Sequence, residues 1–160
     1  ASIARAADFY GAGNSNSFLD AMVLSKYAKK QKAMWLGNPR ARHNFTFVPD
    51  TGKALYALAK NPGSDNQVWH LPTAPAITGI ALMQMAARIF NAPPRYIRIN
   101  KFLLSSIGLF NKPVAEAAEL YYQNQYDYIF SSEKFEKAFD IQPTSYQEGL
   151  QRLSETIFSA

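Results

Sequence analysis

Apolar and polar positions change over in short blocks along this chain. Ser2 to Ala7 is mostly apolar and free of turn residues, and breaks at Gly11-Ala-Gly13 and Asn14-Ser-Asn-Ser17. An apolar run bounded by glycines predicts a buried strand that ends in a loop. Ser17 to Lys32 places Phe18, Leu19, Met22, Val23 and Tyr27 on one stripe of a helix, with lysines gathered at the end where the helix dipole is negative. Ala33-Met-Trp-Leu36 is apolar and stops at the turn signal Gly37-Asn-Pro39. His43 to Val48 is β-rich, with Phe45 and Phe47 on one face and Thr46 and Val48 on the other.

Asp50 is a candidate cap for a helix through Lys60 that buries Ala54, Leu55, Leu58 and Ala59. Asn61 to Asn66 reads as a loop, and Gln67 to Leu71 as a strand closed by Pro72 and Pro75. Thr78 is positioned to cap a helix to Phe90 that is apolar nearly all round, with Met83 and Met85 as core filling. Arg95 to Ile99 alternates basic and apolar residues, the pattern of an exposed edge strand. Lys101 to Leu109 and Pro113 to Tyr126 read as two helices. Tyr121, Tyr122, Tyr126 and Tyr128 cluster, either at a pocket or in the core with their hydroxyls at the surface. A short helix from Ser131 or Ser132 to Asp140 follows. The last helix opens on a capping box, Thr144 with Gln147 or Ser145 with Glu148, and buries Tyr146, Leu150, Leu153 and Ile157. Short strands between helices predict an α/β domain. The strands are few and helix dominates the second half, which argues against a freestanding doubly wound sheet.

The composition narrows the class. The chain has 160 residues, 48% hydrophobic and 14% aromatic, enough for a core and too apolar for disorder. It has no cysteine, so disulfides and thiolate chemistry are excluded, and a reducing, cytoplasmic location is expected. Ile77 to Phe90, the longest apolar run, is too short for a bilayer and is broken by Gln84 and Arg88. The 17 Lys+Arg exceed the 12 Asp+Glu, with Lys26, Lys29, Lys30, Lys32, Arg40, Arg42 and Lys53 all in the first part. Such a surface attracts phosphates, although lysine-rich faces are usually only solvated.

The order of several motifs resembles a known family. Arg5-x-x-Asp8-x-Tyr10-Gly11-x-Gly13 is similar to the strand and loop that follow the catalytic helix in the extended short-chain dehydrogenases/reductases, the NAD-dependent epimerase/dehydratase family, whose usual form is Arg-x-x-Asn-x-Tyr-Gly-Pro-Gly. Gly37-Asn-Pro39, His43-Asn-Phe-Thr-Phe-Val-Pro-Asp50, Ala54-Leu55, Val68-Trp-His-Leu71 and the closing Glu148-Gly149-Leu150 follow in family order. The resemblance implies the C-terminal portion of such an enzyme: the last Rossmann strands plus a helical substrate-binding subdomain. Residues 1–160 would then be one substrate-binding domain without the N-terminal NAD(P)-binding half. The implied cofactor of the whole enzyme is NAD or NADP, none of it expected on this chain alone. The implied partner is a small-molecule substrate such as a nucleotide-linked sugar.

Residue by residue, the resemblance places Asp8 where relatives carry a substrate-binding asparagine. A carboxylate there would repel a diphosphate and accept hydrogen bonds from sugar hydroxyls. His43 stands where relatives carry a diphosphate-gripping arginine, and it lacks the bidentate fork. Arg40 or Arg42 is the candidate source of the missing charge. Asp50 matches the family's acidic position. Tyr10 and Gly11 would lie near the nicotinamide end of the cofactor. Three other signatures are set aside. Gly11-Ala-Gly13 lacks the third glycine of a dinucleotide fingerprint. Tyr56-Ala-Leu-Ala-Lys60 has the spacing of the family's catalytic pair but follows the strand that the pair should precede, so no catalytic residue is assigned. His43 and His70 lie in different strands without metal-site spacing, and His70 reads as a packed strand residue.

Three readings result. The first is the substrate-binding region just described, inactive by itself. The second is a stand-alone basic module for phosphate-rich ligands or nucleic acid, with Lys26 to Arg42 as its patch and Trp35, Phe45 and Phe47 as stacking faces. Nucleic acid is the less favoured of those partners, and a membrane is not expected. The third is self-association through the strand at residues 2–10, if its sheet neighbours are missing.

Overall fold

A computed structural model describes residues 1–11, 17–102, 104 and 120–158. In chain order the elements are β1 (Ile3–Arg5), β2 (Asp8–Tyr10), a π-helical turn (Asp20–Leu24) running into α1 (Ser25–Ala28), β3 (Ala33–Leu36), β4 (Arg42–His43), β5 (Phe45–Phe47) and α2 (Val48–Lys60). Then come β6 (Val68–His70), β7 (Ile77–Thr78), α3 (Gly79–Ile89), β8 (Tyr96–Ile99), a 3-10 turn (Leu120–Asn124), α4 (Glu133–Phe139) and α5 (Tyr146–Phe158). The chain divides into two compact units, one of Ala1–Ala21, Asn44–Ala76 and Ile129–Ala160, the other of Met22–His43 and Ile77–Tyr128. Among the described residues no helix is long and apolar enough to cross a membrane.

In the first unit β1 pairs in parallel with β6, Ile3 against Val68, and β2 in parallel with β5, Asp8 against Phe45. The expected buried strand over residues 2–7 is only the three residues of β1, all exposed, and a second short strand, β2, follows it. The break falls where the Ala7 N–H leaves the ladder and donates to Thr46 Oγ1 at 3.1 Å. Thr46 is fully buried, and its hydroxyl also meets Thr73 Oγ1 at 2.8 Å.

Two apolar clusters hold this unit. In one, Ala54 and Leu58 of α2, Trp69, Leu71 and Phe135 form a buried core. The Trp69 ring meets Phe135 and Phe139 edge-on, with centroids 6.0 and 5.1 Å away, and its Nε1 donates to Ser64 O at 2.9 Å. In the other, Tyr10 of β2 packs on Phe47 of β5 (5.2 Å) and Tyr146 of α5 (6.0 Å). Fully burying one such side chain contributes roughly 1.5–3 kcal/mol. Tyr146 also bridges polar groups. Its hydroxyl accepts from Phe45 N–H at 3.0 Å and donates to Ala74 O at 3.3 Å.

Helix α2 begins at Val48, three residues earlier than an Asp50 cap requires, with Phe47 extended before it and a proline in its first turn. Pro49 has a preset φ and no N–H to satisfy, which suits that position. Asp50 thus lies inside the first turn. Its buried carboxylate accepts from Thr144 N–H (2.7 Å) and Oγ1 (2.9 Å), and Lys53 Nζ lies 3.4 Å away. It ties the start of α5 to α2. The capping box is made by Ser145, whose Oγ accepts from Glu148 N–H at 3.2 Å.

In the second unit β3 pairs in parallel with β8, and β4 antiparallel with β7. Three of the four β8 residues are exposed, as an edge strand should be. Thr78 Oγ1 accepts from Ala81 N–H at 3.2 Å and caps α3, which buries Leu82, Met83, Ala86 and Ala87. Gly79 starts this helix against the Trp35 ring, where any Cβ would overlap the indole. The helix expected to Lys32 ends at Ala28. Lys30 turns into a left-handed conformation (φ 58°), and its Nζ donates to Phe90 O and Asn91 O at the end of α3. Of the two helices expected over 101–126, residues 103 and 105–119 lie outside the described residues. The part from Leu120 to Asn124 is a 3-10 turn.

Two glycines in the first unit test this packing. A methyl on Gly149 of α5 would overlap the Tyr10 hydroxyl and lie 3.0 Å from its Cζ, whereas nothing lies within 4 Å of one on Gly52 of α2. Urea unfolding is expected to show Gly149→Ala destabilised by about 1–3 kcal/mol, the usual cost of overpacking. Gly52→Ala should be neutral or stabilised by up to about 1 kcal/mol through helix propensity.

Candidate functional site

The parallel strands β2 and β5 end together, with Tyr10 opposite Phe47. The carboxyl ends of parallel strands are where α/β folds place ligands. Asp8, at the start of β2, is exposed. Tyr10, at its end, has no exposed surface, and its hydroxyl has no hydrogen-bond partner among the described residues. Desolvation drives the Tyr10 pKa well above the usual tyrosine range, and Tyr146 and Asp50 push it the same way. Burial pushes Tyr146 to about 12, against the opposing effect of the Phe45 N–H.

Gly11 follows with φ 144°, a conformation that favours glycine, and a Cβ there would lie 3.1 Å from Val48 Cβ. Its N–H donates to Asp20 Oδ2 at 3.1 Å. Ser17 completes the arrangement. Its hydroxyl donates to Phe9 O at 2.6 Å and accepts from Asp20 N–H at 3.1 Å. Burial raises the Asp20 pKa from 3.8 to about 6, against the lowering effect of the Gly11 and Ser17 hydrogen bonds. Sequence reasoning did not select Asp20. The signal available was Ser17-Phe-Leu-Asp20, a serine followed three residues later by an acid at a helix start.

The other substrate candidates lie in the second unit. Arg40 is exposed. Arg42 carries its own counter-ion: Nη2 and Nε lie 2.7 and 2.8 Å from Asp127 Oδ2, and the Arg42 N–H donates to Asp127 Oδ1 at 2.8 Å. Those hydrogen bonds hold the Asp127 carboxyl below the usual carboxylate range. The Tyr128 N–H donates to Arg42 O at 2.8 Å, so residues 127–128 run alongside β4. His43 is buried. Beside it in the chain but in the first unit, buried Asn44 donates to Ala74 O at 2.7 Å and accepts from Phe130 N–H at 2.8 Å. Sequence reasoning passed over both Asp127 and Asn44.

Tyr56 is 66% exposed, and Lys60 Nζ lies 5.7 Å from its ring centroid. His70 stacks on Phe130 at 4.2 Å, with Nδ1 2.9 Å from Ser131 O. Among the described residues no group of three histidine or acidic side chains is placed to hold a metal. The stacking faces required of a nucleic-acid module are in the interior: Trp35, Phe45 and Phe47 are all buried. A shallow groove of about 380 Å³ runs between β1 and α2, lined by Ser2, Ala4, Leu55, Leu58, Ala59 and Pro62 among others.

No protein-family model and no curated protein matches the sequence. Solved structures do match the fold. The dTDP-glucose 4,6-dehydratase of Bacillus anthracis, in complex with NAD, superposes with a TM-score of 0.69 at 13% identity, over 99% of this chain and 44% of its own. The UDP-glucuronic acid 4-epimerase of Bacillus cereus, in complex with UDP-glucuronic acid and NAD, gives 0.73 at 12% identity, over 98% of this chain and 45% of its own. The UDP-glucose 4-epimerase of Thermotoga maritima, with UDP-glucose, gives 0.71 at 16% identity, over 99% and 46%. The fold is therefore part of the extended short-chain dehydrogenase/reductase fold, and the chain spans less than half the length of the enzymes it matches.

The raised Asp20 pKa makes a signed prediction. The folded state holds this proton more tightly than the unfolded chain, so the Asp20 contribution to stability is fully present below about pH 4 and is lost as pH rises through about 6. In urea unfolding, wild type should lose stability relative to Asp20→Asn between pH 4.5 and pH 7.5. An unchanged difference between the two proteins would contradict the burial of this carboxyl.

Proposed function

We propose that this chain is the C-terminal, substrate-binding region of an NAD(P)-dependent epimerase, dehydratase or reductase-like protein acting in the cytoplasm. The observation that carries the reading is the superposition of 98–99% of the chain on less than half of each enzyme, at TM-scores near 0.7. The enzymes matched are described with NAD, UDP-glucuronic acid or UDP-glucose bound, which supports NAD or NADP for the whole protein and a nucleotide-linked sugar as substrate.

In this reading Asp8, Arg40, Arg42 and His43 contact substrate, while Tyr10 and the Gly11 backbone lie beside the cofactor. Asp8 accepts hydrogen bonds from sugar hydroxyls, and positive charge near the diphosphate comes from the arginines. Arg42 already carries the Asp127 carboxylate, so Arg40 is the more available of the two. The acid/base pair and the dinucleotide-binding glycines come from the other half of the enzyme, so this region performs no hydride transfer by itself.

The exposed surface of the first unit supports a partner half. Ile3 is 56% and Phe9 40% exposed, on strands that the described residues pair only with β6 and β5. Leu55 and Ala59 face the adjoining groove. Unpaired strand edges with apolar positions favour pairing with another chain. A dimer or larger species is expected in sedimentation of this polypeptide, and a monomer at high concentration would contradict that. Calorimetry with NADH should give no binding in the micromolar range. A micromolar Kd would overturn the assignment of the cofactor site to another region.

A further inference from the structure

Asp20 is the carboxyl group nearest the end of β2 that the proposed function leaves without a role. Its geometry is specific. One carboxylate oxygen accepts the Gly11 N–H, and the same residue's backbone N–H is fixed by Ser17, which in turn holds the Phe9 carbonyl. The last strand residues and the start of the next helix are thereby joined through three hydrogen bonds within a few residues. Gly11 holds φ 144°, and a Cβ there would come within 3.1 Å of Val48 Cβ, so the position suits only a glycine. The direction of its N–H is set by the acceptor. Asp20 also opens a π-helical turn, and such turns inside helices are frequent at functional sites.

We propose that Asp20 is a positioning residue: its carboxylate holds the Gly11 amide, at the carboxyl end of β2, in the orientation that ligand binding requires, and loosens its hold on that amide when it is protonated. This rests on the reading of the β2 end as ligand-facing. Charge-assisted hydrogen bonds to a carboxylate are roughly twice as strong as neutral ones, so protonation weakens the hold on Gly11 without removing it.

The surroundings set where the switch falls. Tyr10 of β2 is the titratable group that faces Asp20, and Tyr10 in turn feels Tyr146 and Glu148 of α5 and Asp50 of α2. None of these is cationic, and no ion pair to Asp20 forms among the described residues. Burial favours the neutral acid and the two hydrogen bonds favour the carboxylate, which leaves the transition near pH 6. A change of this kind lies within the range a cell can reach.

The test is the Gly11 amide resonance of the full 160-residue chain, followed from pH 4 to pH 8 in wild type, Asp20→Asn and Ser17→Ala. In wild type it should titrate with a midpoint near 6. Asp20→Asn keeps an acceptor of the same shape and should abolish the titration. Ser17→Ala removes a bond that lowers the Asp20 pKa and should move the midpoint up. A Gly11 resonance that does not titrate, or that titrates equally in Asp20→Asn, overturns the proposal. UDP-glucose added to the same samples reads the ligand side, because Gly11 lies only three residues beyond Asp8, a substrate contact in the proposed function. Larger Gly11 shifts at pH 7.5 than at pH 5 support the positioning role. Equal shifts at both values overturn that role and leave the ligand reading standing. Absent shifts with the pH titration intact overturn the ligand reading, and the role that rests on it, while the hydrogen bond itself stands.

Discussion

The contact on which the first unit depends is the Tyr10 ring, enclosed by Phe47, Tyr146 and the backbone of Gly149. It joins the two parallel strands β2 and β5 to the last helix, which arrives from the far end of the chain. Only a glycine lets that helix approach so closely. The hydroxyl enclosed there has no partner among the described residues. A buried hydroxyl without a hydrogen bond costs about 1–3 kcal/mol, so the aromatic packing around it must exceed that cost. The same contact sets the height of the β2 end, and therefore where Gly11 and Asp20 lie. Asp50 makes a second, polar tie between α2 and the chain entering α5, through Thr144. Packing and polar ties together fix the helix against the strands from two sides.

Much of this was legible in the sequence because the signals were local. Thr78 caps α3 as expected, α4 begins after Ser132, one of the two serines expected to start it, and of the two expected capping boxes Ser145 with Glu148 is found. The common burial of Phe45 and Phe47 likewise follows from strand alternation. What local pattern could not carry was the partner at a distance. Ser2 to Ala7 looked like one buried strand because its side chains are small and apolar. Its strand stops at Arg5, and Thr46, some 40 residues on, takes the Ala7 N–H. Asp50 looked like a cap because Asp is a common cap. Its true partner, Thr144, is 94 residues away.

The candidate site was legible by the same measure. The Tyr10–Gly11 turn was marked by its glycines, and Gly11 does adopt a conformation that glycine favours. His43 was marked by family order and Arg42 by its charge, and nothing local could announce that Asp127 would neutralise Arg42 from 85 residues away. Asp20 was missed because an acid near the start of a helix ordinarily means only a favourable dipole contact. Its significance depends on burial and on the Gly11 N–H, both tertiary facts. The stacking faces of the basic-module reading find no support for a related reason: aromatic residues count as stacking surfaces only when exposed, and Trp35, Phe45 and Phe47 serve the core.

The central claim is that this region works as the substrate-binding half of a larger dehydrogenase-type enzyme. The most direct measurement is the coding sequence upstream of Ala1 in the source genome. An in-frame extension of about 150 residues is expected, the usual size of a domain, carrying Gly-x-x-Gly-x-x-Gly after a first strand and a Tyr-x-x-x-Lys helix. A start codon directly before Ala1 would contradict it, and binding of a ligand or partner by a free-standing domain would then be the function to explain.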